Sequence, residues 1–232
     1  MKRRIVVDIR FNNMGFQKER LTKPWIQHRI GLFKELTLKS LLLQSNQNFL
    51  TLLKYDPKSH DALFEVLEET GLHLPDNIRF VPVGEIDSVV SSYIEGYDEL
   101  YITRTDSDDL LHKEYIQLLH DYRHLPDTEA LINQNGYYWD WNRNEMAPAK
   151  YSSPQFYVLI YKADNYRKGE RYTVRDHSFV IKFANEKLPG RNWVNVVHST
   201  NSSPKKVPGD HRMTPDEIDK VLVNYLGRFQ KH

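Results

Sequence analysis

The amino-acid sequence predicts a mixed α/β fold with helices flanking a largely parallel sheet. Two observations carry this prediction. Short β-branched runs alternate with helical patterns through the first half of the chain, and aromatic segments broken by proline, which favour antiparallel strands, fill much of the second half. At 232 residues the chain is long enough to bury one large core, so we expect a single domain.

The first half of the sequence repeats a strand followed by a helix. Residues 5–9 form a β-branched run, and apolar residues at helical spacing predict a helix over 24–44. The same pattern recurs along the chain, with strands predicted at 49–53, 78–83 and 100–103 and helices at 60–70, 86–93 and 115–122. Strands separated by helices imply a parallel sheet with right-handed crossovers.

The second half is irregular before a well-marked final helix. Residues 130–166 are aromatic and broken by Pro148 and Pro154, which indicates antiparallel strands and hence a mixed sheet, whereas 167–190 fits either strand or helix. Residues 201–210 form a polar loop. Thr214 as N-cap, Pro215 at the first helical position and Glu217 three residues after the cap then predict an amphipathic helix that includes Phe229.

Composition excludes several functional classes. The 32 basic and 31 acidic residues leave a net charge of +1, which removes the electrostatic argument for a nucleic-acid-binding protein. The absence of cysteine excludes disulfides, zinc–thiolate sites and thiol catalysis, and suits a cytoplasmic protein. Residues 156–161, the longest apolar run, are too short to cross a bilayer, and Asp8 and Arg10 stand where a signal peptide needs an apolar core.

Polar residues follow the predicted parallel strands at the edge where such sheets bind ligands. The most prominent are Asp106, Asp108 and Asp109, which lie within four residues on a turn that we expect to be exposed. Carboxylates so close together repel each other unless a cation neutralises them, and their oxygens suit magnesium, manganese or calcium. The alternative is a charged turn whose acids favour the N-terminus of the next helix.

The segment 102–109 resembles the DXD element of GT-A-fold glycosyltransferases, and the surrounding chain is similar to a rhamnosyltransferase family of bacterial sugar-transferring enzymes. The supporting segments are Arg10-Phe11-Asn12, then Trp25, Arg29 and Phe33, then 37–41 with Gln44, and 192–198 with Asn201. The resemblance runs from about residue 5 to residue 201. It implies a GT-A-like, Rossmann-related domain over 1–232, with a nucleotide-sugar-binding half at 1–125, an acceptor half at 126–212 and a C-terminal helix at 213–232.

This resemblance also implies the residues of the donor site. The donor would be a dTDP- or UDP-linked sugar whose diphosphate is held by Mn²⁺ or Mg²⁺. The implied metal ligands are Asp106, Asp108 and His198, and the implied donor-binding residues are Arg10, Asn12, Arg29, Asp56, Arg104 and Asp106. The alternative for His198, in the apolar run 196–198, is a structural histidine, and the alternative for Asp56 is a turn residue before Pro57.

The acceptor, a glycan or another hydroxyl compound such as a bacterial polysaccharide, is expected over the second half. Tyr137, Trp139 and Trp141 surround Asp140, and aromatic faces pack on sugar rings, although core packing is the alternative for each ring. An inverting transfer needs a carboxylate base, for which Asp176 is the first candidate and Asp140 the second, whereas a retaining transfer needs none.

Two other functions remain open at the level of the sequence. A nucleotidyltransferase has a similar α/β architecture, but only Gly15 stands near the first strand, where a glycine-rich phosphate loop would be needed. A non-catalytic carbohydrate-binding protein with a structural calcium would use the aromatic cluster and the acidic turn. The released product separates the three: a glycosyltransferase releases nucleoside diphosphate from a nucleotide sugar, a nucleotidyltransferase releases pyrophosphate from a nucleoside triphosphate, and a binding protein releases neither.

Overall fold

A mixed sheet forms the body of the protein. The computed structural model describes residues 2–15, 18–201, 206–209 and 211–227. In these ranges the strands are β1 (Arg3–Arg10), β2 (Leu50–Tyr55), β3 (Ile78–Pro82), β4 (Glu99–Asp106), β5 (Leu110–Leu111), β6 (Ala130–Ile132), β7 (Asn135–Asp140), β8 (Glu145–Lys150), β9 (Tyr157–Lys162), β10 (Asn185–Lys187) and β11 (Trp193–Val197). The large sheet has the order β10-β6-β9-β4-β1-β2-β3. Strands β1 to β4 are parallel and β9 is antiparallel to both neighbours, so the predicted mixed α/β fold is confirmed.

A smaller sheet with the order β5-β11-β7-β8 lies beside the acidic turn. The β7–β8 hairpin is antiparallel, as predicted for this half, but β11 runs parallel to β7. In the large sheet β10 likewise runs parallel to β6. The antiparallel strands predicted within 130–166 are therefore confirmed for the β6–β9 and β7–β8 pairs. The parallel pairings involve β10 and β11, which lie beyond that segment, and local patterns do not encode the direction of such distant partners.

The helices are α1 (Lys23–Glu35), α2 (Thr37–Leu42), α3 (His60–Thr70), α4 (Ile86–Tyr93), α5 (Tyr115–Asp121), α6 (Ala163–Arg167) and α7 (Pro215–Leu226). The helix predicted over 24–44 is broken at Leu36, which has φ −117° and ψ −86°. The hydroxyl of Thr37 donates to the carbonyl oxygen of Asp109 at 2.8 Å, which turns the chain toward the acidic segment. This break accounts for two helices where one was expected.

The structure assigns the ambiguous segment around Phe179 and the final helix of the second half. The ambiguous residues around Phe179 form a 3-10 helix over His177–Lys182. The final helix begins as predicted, because Thr214 and Glu217 form a capping box, and Gly227 follows its end. Residues 202–205 and 210 of the predicted polar loop, and the predicted helical residues 228–232, lie outside the described part of the chain.

The core occupies both faces of the large sheet. Alternate residues of β1, such as Ile5 and Val7, pack with buried residues of α1, α3 and α5, while Val6 packs on the opposite face with Val90 of α4 and Tyr166 of α6. A third cluster packs α7 against the small sheet. Of the helices in the described residues, none is long and apolar enough to cross a membrane.

Trp193 anchors the beginning of β11. Its ring stacks on Phe156 with centroids 4.5 Å apart, and its Nε1 donates to the carbonyl oxygen of Asn133 at 2.7 Å. The ring also lies directly over Gly136, where an added Cβ would stand 2.1 Å from a ring carbon. Glycine is therefore required at position 136 for this packing, which fixes the strand that leads to His198.

Candidate active site

Charged side chains gather where the parallel strands end. Arg10 at the end of β1 is paired in register with Asp106 of β4 and with Lys54 of β2. Asp8 is paired with Arg104 two residues earlier, so all five side chains share one face of the sheet. This is the edge at which open α/β sheets bind their ligands.

Asp108 is the centre of a buried cluster formed by three predicted site residues. Its Oδ2 accepts a hydrogen bond from Nη1 of Arg29 at 3.0 Å and lies 2.9 Å from Nε2 of His198. The other guanidinium nitrogen of Arg29 donates to Oγ of Ser107 at 2.5 Å. The cluster thus unites helix α1, the turn after β4 and the end of β11, which are distant in sequence.

The environment keeps Asp108 ionised. Burial alone would raise the pKa of Asp108, but the charge of Arg29 and the hydrogen bond with His198 outweigh burial and hold this pKa well below its usual value. Only 7% of the residue is exposed, so the expectation of an exposed turn is wrong for Asp108. The turn is buried because α1 and β11 close over it.

His198 faces the acidic turn and not an apolar core. Its backbone nitrogen donates to Oδ1 of Asn201 at 2.6 Å, which explains the spacing of these two residues in the sequence. Its Nδ1 lies 3.0 Å from Oγ1 of Thr200, and that hydroxyl lies 2.7 Å from Nε2 of His28 on α1. Sequence reasoning did not identify Thr200 and His28, which hold the imidazole from the side opposite Asp108.

The three predicted metal ligands do not converge. The carboxylate of Asp106 pairs with Nη2 of Arg104 on its own strand at 3.0 Å. Across the described ranges, no group of three His, Cys, Asp or Glu side chains forms a possible metal site. Asp106 therefore lies apart from the Asp108–His198 pair. Residues 104 and 106 point to the same face of β4, whereas residue 108 lies beyond the end of that strand.

Asp108 and His198 are the predicted ligands that could together hold a divalent cation, which would replace the hydrogen bond between them. A carboxylate oxygen and an imidazole nitrogen are ligands that manganese accepts. The two donor atoms are 2.9 Å apart, and neighbouring ligands of one octahedral ion lie about 3 Å apart. An ion held by this pair would take its remaining ligands from water or from an anionic substrate.

Asn12 and Asp56 lie at the ends of β1 and β2. Asn12 is 1% exposed; its Nδ2 donates to Ser59 Oγ and the Arg20 carbonyl oxygen, and its Oδ1 accepts from the Asp56 nitrogen. Both polar atoms of the Asn12 side chain are hydrogen bonded inside the protein, where they link the ends of β1 and β2. The expected direct contact of Asn12 with a nucleotide-sugar donor is therefore corrected. The Asp56 carboxylate pairs with Arg20 at 3.1 Å and accepts from the Lys58 nitrogen.

Arg10 pairs with no carboxylate among the described residues, although its charge acts on the hydroxyl of Tyr157. Its neighbours are paired: Lys54 lies 2.6 Å from Asp8, and Arg104 pairs with Asp106. Sequence reasoning did not identify Asp8 and Lys54, although charges at alternate positions of a predicted strand, as in Asp8 and Arg10, indicate a polar patch on one sheet face. The edge therefore offers Arg10 to an anion.

The two candidate bases occupy different surroundings. Asp140 ends β7 and is paired with Val197 of β11, the residue before His198; its Oδ1 accepts from the Arg143 nitrogen at 2.9 Å. Asp176 is exposed and caps the 3-10 helix His177–Lys182, where hydrogen bonds from Ser178 lower the pKa of its carboxyl. The strand register thus places Asp140, and not Asp176, next to the His198 segment.

The aromatic cluster contributes mainly to the core. Trp139 is fully buried against α7, so it has no ring face for an acceptor sugar, and that expectation is corrected. Tyr137 and Trp141 are partly buried and pack on the same cluster. Tyr137 meets Tyr225 edge to face, with ring centroids 6.4 Å apart. The alternation along β7 turns Trp139 inward.

Comparison with known proteins gives one family match. A family model described as "Putative rhamnosyl transferase" matches residues 15–210. No curated protein sequence matches this chain.

Several solved structures are similar at low identity. A fragment of TarS from S. aureus, residues 1–349 in complex with UDP, has 14% identity and a TM-score of 0.45, with 85% of this chain and 61% of that chain covered. The synthase of 4-diphosphocytidyl-2C-methyl-D-erythritol from Anaerococcus prevotii has 15% identity, a TM-score of 0.36 and coverage of 96% and 95%. A "putative nucleotide-diphospho-sugar transferase" from Desulfovibrio desulfuricans has 15% identity, a TM-score of 0.37 and coverage of 81% and 79%. This chain thus spans less than two thirds of the TarS fragment.

Proposed function

The chain belongs to the family described as "Putative rhamnosyl transferase", and we propose that it is a glycosyltransferase that uses a nucleoside-diphosphate sugar as donor and a hydroxyl group as acceptor. One observation carries the proposal. Asp108, Arg29 and His198 converge in one buried cluster beyond the carboxyl end of β4, where a ligand of an open α/β sheet binds. The cluster combines an ionised carboxylate, a guanidinium and an imidazole.

We place the donor diphosphate against this cluster. The leaving nucleoside diphosphate gains negative charge as the bond to the sugar breaks, so fixed positive charge stabilises the transition state. A divalent cation held by Asp108 and His198 would supply Lewis-acid stabilisation when bound. Arg29 beside Asp108 and Arg10 at the end of β1 add positive charge from the protein itself.

The nucleoside would lie along the ends of β1, β2 and β4. The carboxylate of Asp106 is partly exposed, with 29% of the side chain accessible, and it can accept hydrogen bonds from ribose hydroxyls while Arg104 holds it. Asp56 at the end of β2 is the candidate for reading a dTDP- or UDP-type base. Its Oδ2 pairs with Arg20 and its Oδ1 accepts from the Lys58 nitrogen, while 19% of the side chain stays exposed to a base.

The acceptor would approach from the small sheet. If the transfer inverts configuration, we favour Asp140 over Asp176 as the base, because Asp140 is paired with Val197, the residue before His198, whereas Asp176 caps an exposed 3-10 helix. A base of this kind contributes about 10²- to 10⁴-fold to the rate. Tyr137 and Trp141 are the remaining candidates for stacking on an acceptor, which we propose to be a bacterial glycan made in the cytoplasm.

Product analysis tests this function. The wild-type chain is incubated with dTDP- and UDP-linked sugars in Mn²⁺ or Mg²⁺, and nucleoside diphosphate and pyrophosphate are both measured. We expect nucleoside diphosphate, with release lost in Asp108→Asn and retained in Glu68→Gln, a control acid exposed on α3. A second incubation supplies a nucleoside triphosphate and a sugar 1-phosphate, and release of pyrophosphate there would instead establish a nucleotidyltransferase. Sugar binding without either product would establish a carbohydrate-binding protein.

A further inference from the structure

Asp109 lies behind the cluster and is buried, with 1% of the residue exposed. Its Oδ1 accepts from the backbone nitrogen of Val196 at 2.9 Å. Its Oδ2 accepts from Nδ2 of Asn195 at 3.0 Å and from Nε2 of Gln155 at 3.3 Å. These contacts direct the carboxylate toward β11 and away from the surface on which a donor would lie.

These contacts join the acidic turn to β11 close to both members of the Asp108–His198 pair. Asp109 directly follows Asp108, and Val196 precedes His198 by two residues. The strand β5 begins at the next residue and pairs Leu110 with Val194, so the carboxylate extends an existing strand contact toward the site.

The backbone of Asp109 is fixed as well. Its carbonyl oxygen accepts from Oγ1 of Thr37 on α2, and its nitrogen donates to the carbonyl oxygen of Asp106 at 3.3 Å. The residue thus links the turn, α2, β11 and the segment containing Gln155. A shift of β11 along the turn would break these bonds together and would move His198 away from Asp108.

We propose that Asp109 is a positioning residue that sets the distance between the Asp108 carboxylate and the His198 imidazole, and thereby the affinity of the site for a nucleoside diphosphate. The part concerning the diphosphate rests on the proposed function. A carboxylate suits this position because it offers only acceptors, and Val196 N, Asn195 Nδ2 and Gln155 Nε2, from which its two oxygens accept, are all N–H donors.

A pair of substitutions tests this arrangement. In Asp109→Asn one acceptor oxygen becomes an N–H donor and the negative charge is lost. The Asn195 amide can turn its unpartnered Oδ1 toward that donor, but the contact with Gln155 and the charge assistance of all three bonds are lost, so the link to β11 is weakened. In the double variant Asp109→Asn with Asn195→Asp, the amide oxygen introduced at position 109 can still accept from the Val196 nitrogen, and the amide nitrogen there can donate to the new carboxylate. Leu63→Ala, in the core of α3, is the control for loss of stability without a change at these contacts.

The readout that does not depend on activity is the side-chain ¹H–¹⁵N spectrum of the histidines in the ligand-free protein, with His198 assigned by His198→Gln. We expect Asp109→Asn to shift the His198 signals and to weaken Mn²⁺-dependent binding of UDP or dTDP by about 10-fold or more, in the range for residues that orient a ligand side chain. The double variant should restore both, and Leu63→Ala should lower the melting temperature with neither change. If Asp109→Asn does not fold, Asn195→Ala removes one of the three donors and should give the same shift in weaker form.

Unchanged His198 signals in Asp109→Asn, or an equal shift in Leu63→Ala, would overturn the positioning role. So would a double variant that folds but restores neither readout. The proposed function fails in a different way: wild type that binds neither UDP nor dTDP would contradict the donor assignment, while the His198 signals would still report whether Asp109 holds the pair together.

Discussion

Replacing Asp108 by Asn should lower both the stability of the fold and the binding of a donor. The carboxylate holds Arg29 at 3.0 Å and His198 at 2.9 Å, and the paired side chains of Arg29 and Asp108 are 13% and 10% exposed. Each charge-assisted hydrogen bond contributes about 1.5 to 3 kcal/mol, whereas the neutral bond that an Asn oxygen can keep contributes about 1 kcal/mol. The net loss is about 3 kcal/mol, because the Arg29 guanidinium is left buried without its counter-charge.

The same contact makes stability depend on pH. Because the pKa of Asp108 is lower in the folded chain than its unfolded value of about 4, the ionised carboxylate stabilises the fold fully above pH 4. That contribution is lost as the pH falls from about 4 toward the folded pKa. Wild type should therefore lose stability on acidification from pH 5 to pH 3 more steeply than Asp108→Asn.

Urea denaturation of a double-mutant cycle measures the contact directly. Arg29→Met removes the guanidinium, so Asp108→Asn in that background should cost about 1 to 2 kcal/mol less than in wild type. Glu68→Gln serves as the control for loss of a carboxylate at an exposed position. A loss below about 0.5 kcal/mol for Asp108→Asn, or strict additivity with Arg29→Met, would refute the reasoning.

Further predictions concern the strand anchor, the base and the last helix. Gly136→Ala should lower the free energy of unfolding by about 2 kcal/mol or more, measured by denaturation, because its methyl group would overlap the Trp193 ring; an unchanged midpoint would contradict the packing. Asp140→Asn should lower kcat by about 100-fold or more and Asp176→Asn by much less, and the reverse order would return Asp176 to first place. Thr214→Ala should cost about 1 kcal/mol of stability through loss of the capping box, with donor binding unchanged.

Local patterns in the sequence were sufficient for the first half of the fold. Apolar periodicity and Gly71, which ends α3 in the left-handed conformation at φ 57°, mark the repeated strand–helix units. The direction of β11 and its pairing with β7 were not predictable in this way, because they depend on contacts between distant segments. The break at Leu36 likewise follows from a hydrogen bond between Thr37 and Asp109, 72 residues apart.

The candidate site was predictable in composition but not in arrangement. The acidic turn was identified from its three carboxylates, and Arg29 and His198 from the resemblance to the rhamnosyltransferase family, yet no local pattern shows which carboxylate each contacts. Asp106, Asp108 and Asp109 are close in sequence but have different partners: Arg104, the Arg29–His198 pair and β11. The packing of α1 and β11 against the turn determines which partner each of the three carboxylates contacts.

Calorimetric titration of UDP and dTDP tests the central claim that Asp108 and His198 together form the donor diphosphate site. The titrations use wild type and His198→Ala, each with Mn²⁺ and again with a chelator, and melting temperatures are measured in parallel. We expect wild type to bind only with Mn²⁺, and His198→Ala to bind about 10-fold or more weakly at a similar melting temperature. Equal affinity with and without the chelator, or unchanged affinity in His198→Ala, would contradict the account.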